Sequence, residues 1–288
     1  MDLGSKRRRF ILIPYDFDYV KPDTIQEAIA IFHQWDSEEK QPKYFCGGTE
    51  IITMARLSQL HTKGIIDLKD IPECRILDWK KDQLVIGSAV TLAQLEAVQF
   101  FPLLSRVCNR IADHTSRCKI TLGGNICGKI IYRETVLPLL VANAEFHIAT
   151  ESGVKQVSIH DVFEKELRLL PHEILLQITV DKQITTMPYR SEKRTKIDRI
   201  GYPIVSLAAI HNQGEIQVAF SGICTFPFRS KEVERALNDQ TLSLEDRVRS
   251  AIHKFPEAIM ADHHASASFR EFIVHNLILD TIESFERA

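Results

Sequence analysis

Two adjacent-glycine pairs constrain this chain more than any other feature. Gly47-Gly48-Thr49-Glu50 follows the short apolar run Tyr44-Phe45-Cys46, and Thr121-Leu122-Gly123-Gly124-Asn125 interrupts an otherwise helix-like stretch. Paired glycines permit positive φ and clear side chains from an approach path. Successive backbone N–H groups can then point into one concavity and hold an anion. Thr49, Thr121 and Asn125 add neutral donors. A helix opening after the first pair would aim the positive end of its dipole at a bound phosphate. The spacing G-x-x-x-x-G-K-[ST] and the fingerprint G-x-G-x-x-G are both missing, so neither of the two commonest nucleotide loops is present.

The flanking pattern is mixed. Pro22-Asp23-Thr24 precedes Ile25, Ala28, Ile29, Ile31 and Phe32, which predicts a capped amphipathic helix. Strands are predicted at 44–46 and 64–68, and a hairpin at 75–79 and 83–86 around Lys80-Lys81-Asp82. Thr91 and Gln94 have capping-box spacing, and Pro102 suits the first turn of a further helix. A buried helix is expected at 137–144 and a hairpin around Gly153. After a composition change near 180–186, strands are expected at 204–210 and 215–220. Helices are expected at 231–237, 245–254 and 268–286. The expected fold class is α+β. A mixed region, 1–178, is followed by a smaller α+β domain, 179–288, made of an antiparallel sheet plus helices.

Charge excludes some partners. With 36 basic and 38 acidic residues the formal net charge is −2, so no overall field attracts nucleic acid or an anionic membrane. Lys6-Arg7-Arg8-Arg9 leads into Phe10-Ile11-Leu12-Ile13, which stops at Pro14. That run is too short for a signal peptide core and reads as a solvated start entering a strand. No stretch reaches the ~18–20 apolar residues of a membrane span, so a cytoplasmic protein is expected. None of the six cysteines forms a C-x-x-C pair, which argues against an iron–sulfur cluster or structural zinc from local ligands. His263-His264 is the one adjacent pair among eleven histidines, and neighbouring side chains diverge on a helix or a strand. No metal is expected there.

The series becomes specific when taken together. Tyr44-Phe45-Cys46-Gly47-Gly48-Thr49-Glu50 is followed by Ile65-Ile66-Asp67-Leu68 and by Leu84-Val85-Ile86-Gly87-Ser88-Ala89. Then come Thr121-Leu122-Gly123-Gly124-Asn125-Ile126, Leu139-Leu140-Val141-Ala142-Asn143-Ala144 and His172-Glu173-Ile174-Leu175. This order closely resembles the FAD-binding medium subunit of the xanthine dehydrogenase and carbon monoxide dehydrogenase family. The resemblance runs from about Phe10 to the C-terminus, where Ile204-Val205-Ser206-Leu207-Ala208-Ala209 and Ala265-Ser266-Ala267-Ser268-Phe269-Arg270 resemble the family's C-terminal domain.

The resemblance implies FAD, with its diphosphate wrapped by both glycine segments; no histidine stands out as a covalent flavin anchor, so non-covalent FAD is expected. It places Tyr44, Phe45, Cys46, Gly47, Gly48, Thr49, Glu50 and Ile51 along the first, and Thr121, Gly123, Gly124 and Asn125 along the second. Backbone and hydroxyl donors would then neutralise the diphosphate without Lys or Arg. Glu50 would turn its carboxylate away from phosphate, toward a sugar hydroxyl, or act as a first-turn helix acid. Ile111 and Leu175 match positions that pack around the cofactor, or are plain core. Arg190 matches a basic position near the flavin, or is a solvated arginine. The stretch Cys127-Gly128-Lys129-Ile130-Ile131-Tyr132-Arg133-Glu134 departs from the family's small residues, proline and Asp. By ungapped counting Glu134 stands at the Asp position, within reach of a flavin-site or ribityl polar group. Ile130, Ile131 and Tyr132 would cover the ring or narrow the acceptor site.

The implied function is electron transfer within a multi-subunit molybdenum hydroxylase. A small partner subunit would carry [2Fe–2S] clusters and a large one the molybdenum cofactor. FAD would pass electrons to NAD or another acceptor. The competing readings are a stand-alone flavin oxidoreductase and a degenerate, flavin-free scaffold or assembly subunit.

Overall fold

The computed structural model describes residues 12–197 and 201–287. The basic run at 6–9, and the strand expected to begin at Phe10, fall largely outside the described residues. The chain begins with a small parallel sheet of order β1-β3-β2. Its strands are β1 (Asp18–Val20), β2 (Lys43–Phe45) and β3 (Gly64–Asp67), joined through α1 (Ile25–Ser37) and α2 (Thr49–Arg56). Thr24 caps α1 by accepting from the Glu27 N–H, and Ile25, Ala28, Ile29 and Phe32 form its buried stripe.

A second lobe is built on an antiparallel sheet of order β4-β5-β8-β6-β7. Its first hairpin is β4 (Leu77–Lys80) and β5 (Gln83–Gly87). Helices α3 (Leu92–Val98), α4 (Pro102–Asn109), α5 (His114–Arg117), α6 (Leu122–Cys127) and α7 (Val136–Val141) follow. The chain returns through β6 (Glu145–Thr150), β7 (Gly153–Ser158), α8 (Ile159–Val162) and β8 (Ile174–Asp181). The capping box at Thr91 and Gln94 forms as its spacing predicts. The two lobes share a core: Ile29 and Phe32 of α1 cluster with Ala149, Ile174 and Leu176.

Beyond α9 (Lys182–Thr185), a third sheet has the order β12-β11-β10-β9 and is antiparallel. It comprises β9 (Tyr189–Thr195), β10 (Pro203–Asn212), β11 (Glu215–Ser221) and β12 (Phe228–Arg229). Helices α10 (Lys231–Leu237), α11 (Leu244–Ile252) and α12 (Ala267–Glu286) join its core. Every residue of α7 is buried. It packs on β10 and β11, while its leucines and valines join the core of the second lobe. A helix apolar all round belongs in such an interior position. The fold is α+β with antiparallel sheets, as expected from the sequence. Strand β9 was not anticipated: Tyr-Arg-Ser-Glu-Lys-Arg-Thr carries too few apolar residues to signal a strand.

Candidate functional site

The first glycine segment is an open backbone cradle. Strand β2 runs into Gly48, which has φ +71 and caps α2 without any side-chain hydrogen bond. A helix leaves its first N–H groups without intrahelical partners. Among the described residues no hydrogen bond takes the N–H of Gly47, Gly48, Thr49, Glu50 or Ile51. Five consecutive donors therefore remain free at the positive end of a helix. The Phe45 ring lies against Gly48, where any Cβ would collide with it.

The second segment is built differently. Residues 122–125 lie in the first turns of α6 rather than in an irregular loop, and Thr121 is its N-cap. The Leu122 N–H donates to Val90 O at 2.8 Å and the Gly123 N–H to Ser88 O at 2.9 Å. The Gly124 N–H donates to Thr121 Oγ1 at 3.2 Å and the Asn125 N–H to Thr121 O at 2.9 Å. These backbone donors are already taken, contrary to the expectation that both segments offer theirs. What this segment offers is space and one amide. Gly124 is exposed, and a Cβ there would meet only Thr121 Oγ1. Asn125 Oδ1 accepts from Thr135 Oγ1 at 2.6 Å. Its Nδ2 has no partner among the described residues.

The two segments touch. A Cβ on Gly47 would strike the Lys119 carbonyl and crowd the Thr121 N–H. Glu50 then ties the exit of the second segment to α2. Its Oε1 accepts from the Lys129 N–H at 2.7 Å, and Oε2 lies 3.4 Å from the Ile130 N. The carboxylate is thus turned to backbone donors of the divergent stretch. Glu50→Ala should lower stability by about 1–2 kcal/mol in urea unfolding, because two N–H groups lose their acceptor. Glu50→Gln should retain part of that stability through its remaining carbonyl oxygen. An unchanged midpoint in the alanine variant would contradict this tie.

Cations missed by the sequence reading lie beside the cradle. Lys69 Nζ donates to Cys46 O at 2.9 Å and to the fully buried Asp67 at 2.6 Å, and stands 4.5 Å from the centre of the Phe45 ring. Lys69, Lys21, Arg75, Asp70, Val90 and Gln94 help to line a cavity of about 390 Å³ at the seam of the two lobes. The Lys21–Asp70 pair closes at 2.7 Å. The signal for these cations was their place just after β1 and β3 and at the turn before β4. Single lysines at such turns carry no pattern.

The other expected site residues scatter. The Tyr44 hydroxyl donates to His172 O at 3.0 Å, and burial pushes its phenol pKa up. Half-buried Cys46 leads into Gly47, and burial raises its thiol pKa as well. Ile111 and Leu175 are buried in the core of the second lobe. Glu134 is buried before α7, with Oε2 2.8 Å from Lys193 Nζ and Oε1 2.6 Å from Ser206 Oγ. Both of its oxygens are taken by protein groups. Lys193 Nζ also donates to Arg110 O at 2.8 Å. Burial lowers the Arg110 guanidinium pKa. On β9 alternate residues face opposite ways. Arg190 therefore points away from Lys193, into a cavity of about 400 Å³ with Arg194, Asp280, Glu283 and Arg287. Tyr132 is buried and stacks on Tyr202 at 4.9 Å and 17°.

FAD can be tested against this donor set. A diphosphate needs convergent N–H donors, nearby positive charge and an approach path free of side chains. The cradle at 47–51 and exposed Gly124 supply the donors and the path, and the half-exposed Lys69 ammonium, although paired with Asp67, lies beside them, so the residues present fit the group.

Comparison with known proteins agrees. The family described as the FAD binding domain in molybdopterin dehydrogenase matches residues 15–182. A glyceraldehyde dehydrogenase medium chain from Sulfolobus acidocaldarius is 24% identical over 282 residues, covering 93% of this chain and 98% of that one. A xanthine dehydrogenase FAD-binding subunit from Escherichia coli O157:H7 is 24% identical over 278 residues, covering 91% and 92%. Among solved structures, a chain of carbon monoxide dehydrogenase from Hydrogenophaga pseudoflava superposes with a TM-score of 0.84 at 22% identity, covering 94% of this chain and 97% of that one. A free-donor glycine cradle, a second glycine segment pressed against it and a family match spanning both lobes lead to one assignment: the chain belongs to the FAD-binding domain family of the molybdopterin dehydrogenases.

Proposed function

We propose that this chain is the electron-relay subunit of a three-part molybdenum hydroxylase. In this reading it stands between an iron–sulfur small subunit and a molybdenum-cofactor large subunit on one side and a terminal acceptor such as NAD on the other. Residues 1–178 would hold FAD, and residues 179–288 would wall the site. The observation that carries the reading is the run of five unpartnered N–H groups at 47–51. A bound FAD supplies the redox chemistry, taking electrons singly and releasing them in pairs.

The chain's own residues bind and orient. Donors 47–51 hold the diphosphate, Lys69 adds charge beside them, and the free Asn125 amide reaches the same space. Ile111 and Leu175 support the site from the core. Glu134 fixes the wall of the site through Lys193 and Ser206. Arg190, on the opposite face of β9, has no direct part. Six free cysteines suit a reducing, cytoplasmic setting. No helix among the described residues is long and apolar enough to cross a membrane.

Native purification tests the reading. The expected result is a flavin absorption band, FAD released on denaturation, and co-purifying subunits that contain iron and molybdenum. A colourless protein that stays unliganded in excess FAD would identify a flavin-free scaffold instead. Flavin-dependent turnover of an organic substrate by the isolated chain would identify a stand-alone oxidoreductase.

A further inference from the structure

His33, Glu151 and His172 come from three separate segments and meet at one point on the surface. His33 lies on α1, Glu151 in the turn between β6 and β7, and His172 just before β8. One donor atom from each lies within 4.8 Å of the other two. His33 Nε2 is 2.5 Å from Glu151 Oε1, and the two imidazole rings are 4.9 Å apart at 38°. The ring nitrogens of His172 have no hydrogen-bond partner among the described residues. A surface His–Glu pair alone would not need that second, unpaired imidazole turned toward it.

We propose that this cluster binds one divalent transition-metal ion, with zinc the closest match to the donor set. Two imidazoles and one carboxylate suit a borderline ion, whereas magnesium and calcium prefer oxygen ligands. Zinc bonds of about 2.0–2.2 Å would draw the three donors together, with water as the fourth ligand. Ligand atoms in such a tetrahedron lie about 3.3–3.6 Å apart, so the cluster has to contract from its 4.8 Å spacing. The supporting shell is already set. The Tyr44 hydroxyl holds the His172 carbonyl at 3.0 Å. The neighbouring Glu173 is fixed by Lys155 at 2.5 Å and by the Leu170 N–H at 3.0 Å. Phe32, next to His33, packs tilted on Tyr44 at 4.9 Å. Such outer contacts orient ligands before the ion arrives.

The site spans the seam between the lobes. α1 belongs with the parallel sheet, while the β6–β7 turn and the segment before β8 belong with the antiparallel one. A bound ion would clamp the two lobes beside Tyr44 of β2. It would stabilise the fold by mass action.

The test uses the full chain stripped with EDTA and titrated with zinc chloride by calorimetry, followed by cobalt chloride in the visible range. The expected result is one tight equivalent of zinc, a higher Tm and a four-coordinate cobalt spectrum. His33→Gln, His172→Gln and Glu151→Gln should each bind zinc at least tenfold more weakly, a loss of about 1.4 kcal/mol or more. The metal-free Tm of His33→Gln and Glu151→Gln should match the parent, since those side chains are 43% and 61% exposed. No stoichiometric zinc binding would overturn the proposal. So would parent-like binding by the His33→Gln/His172→Gln double variant, which would locate the ion on other histidines.

Discussion

Gly124→Val should lose FAD while keeping its fold. Gly124 is exposed in the first turns of α6, and a Cβ there meets nothing but the Thr121 hydroxyl. The backbone is helical, so valine brings no left-handed strain, but its Cβ would stand 2.9 Å from the Thr121 hydroxyl that caps α6, and displacing that cap should cost about 1–2 kcal/mol. Thr121, which caps this helix, lies against Gly47, so the branched side chain is expected to narrow the proposed diphosphate path between the two segments. We expect FAD affinity to fall by about 100-fold or more, some 2.7 kcal/mol. Titrating the flavin-free protein with FAD and following fluorescence measures this, with thermal unfolding as the control. Unchanged affinity in a folded variant would remove the second segment from the binding site. Gly47 cannot serve in this experiment, because its Cβ would strike the Lys119 carbonyl and disturb the fold itself.

Glu134→Ala should have the largest effect on stability. The Glu134 and Lys193 side chains are 8% and 5% exposed, and the carboxylate also takes the Ser206 hydroxyl. Removing one partner leaves an ammonium group buried and uncompensated, at a cost of about 3–5 kcal/mol. Replacing both partners, as Glu134→Leu with Lys193→Met, should recover much of that loss, because a packed apolar pair replaces two desolvated charges. Chemical unfolding of the two variants beside the parent measures both numbers. A single variant as stable as the parent would show that Lys193 finds another counter-charge or reaches water.

These residues also show what the sequence could reveal. Local chemistry was readable. Thr24, Thr91 and Pro102 announced helix starts, Lys80-Lys81-Asp82 announced a hairpin, and each formed where its turn or cap chemistry directs. The first glycine segment was readable for the same reason, since a free-donor cradle depends only on backbone and on the helix that follows. The state of the second was not. Whether its N–H groups are free depends on Ser88 and Val90, which arrive from another part of the chain. Glu134 was found by counting, but its role depended on Lys193. That lysine sits in a strand with a polar sequence, buried only because β9 closes over α4 and β10. Burial of a charge by tertiary packing leaves no periodic trace. The two readings of Arg190, beside a flavin or solvated, could not be separated without β9, whose alternation sets it on the face opposite Lys193.

The contact of Gly47 with Lys119 and Thr121 reaches beyond the site itself. Where main chain rests directly on main chain, the gap between the halves of a binding groove is set by peptide thickness. Exchange of nearby side chains leaves that gap alone; an insertion, a deletion or a single added methyl group does not. A groove gauged in this way can survive wide divergence around it, yet has almost no tolerance at the point of contact.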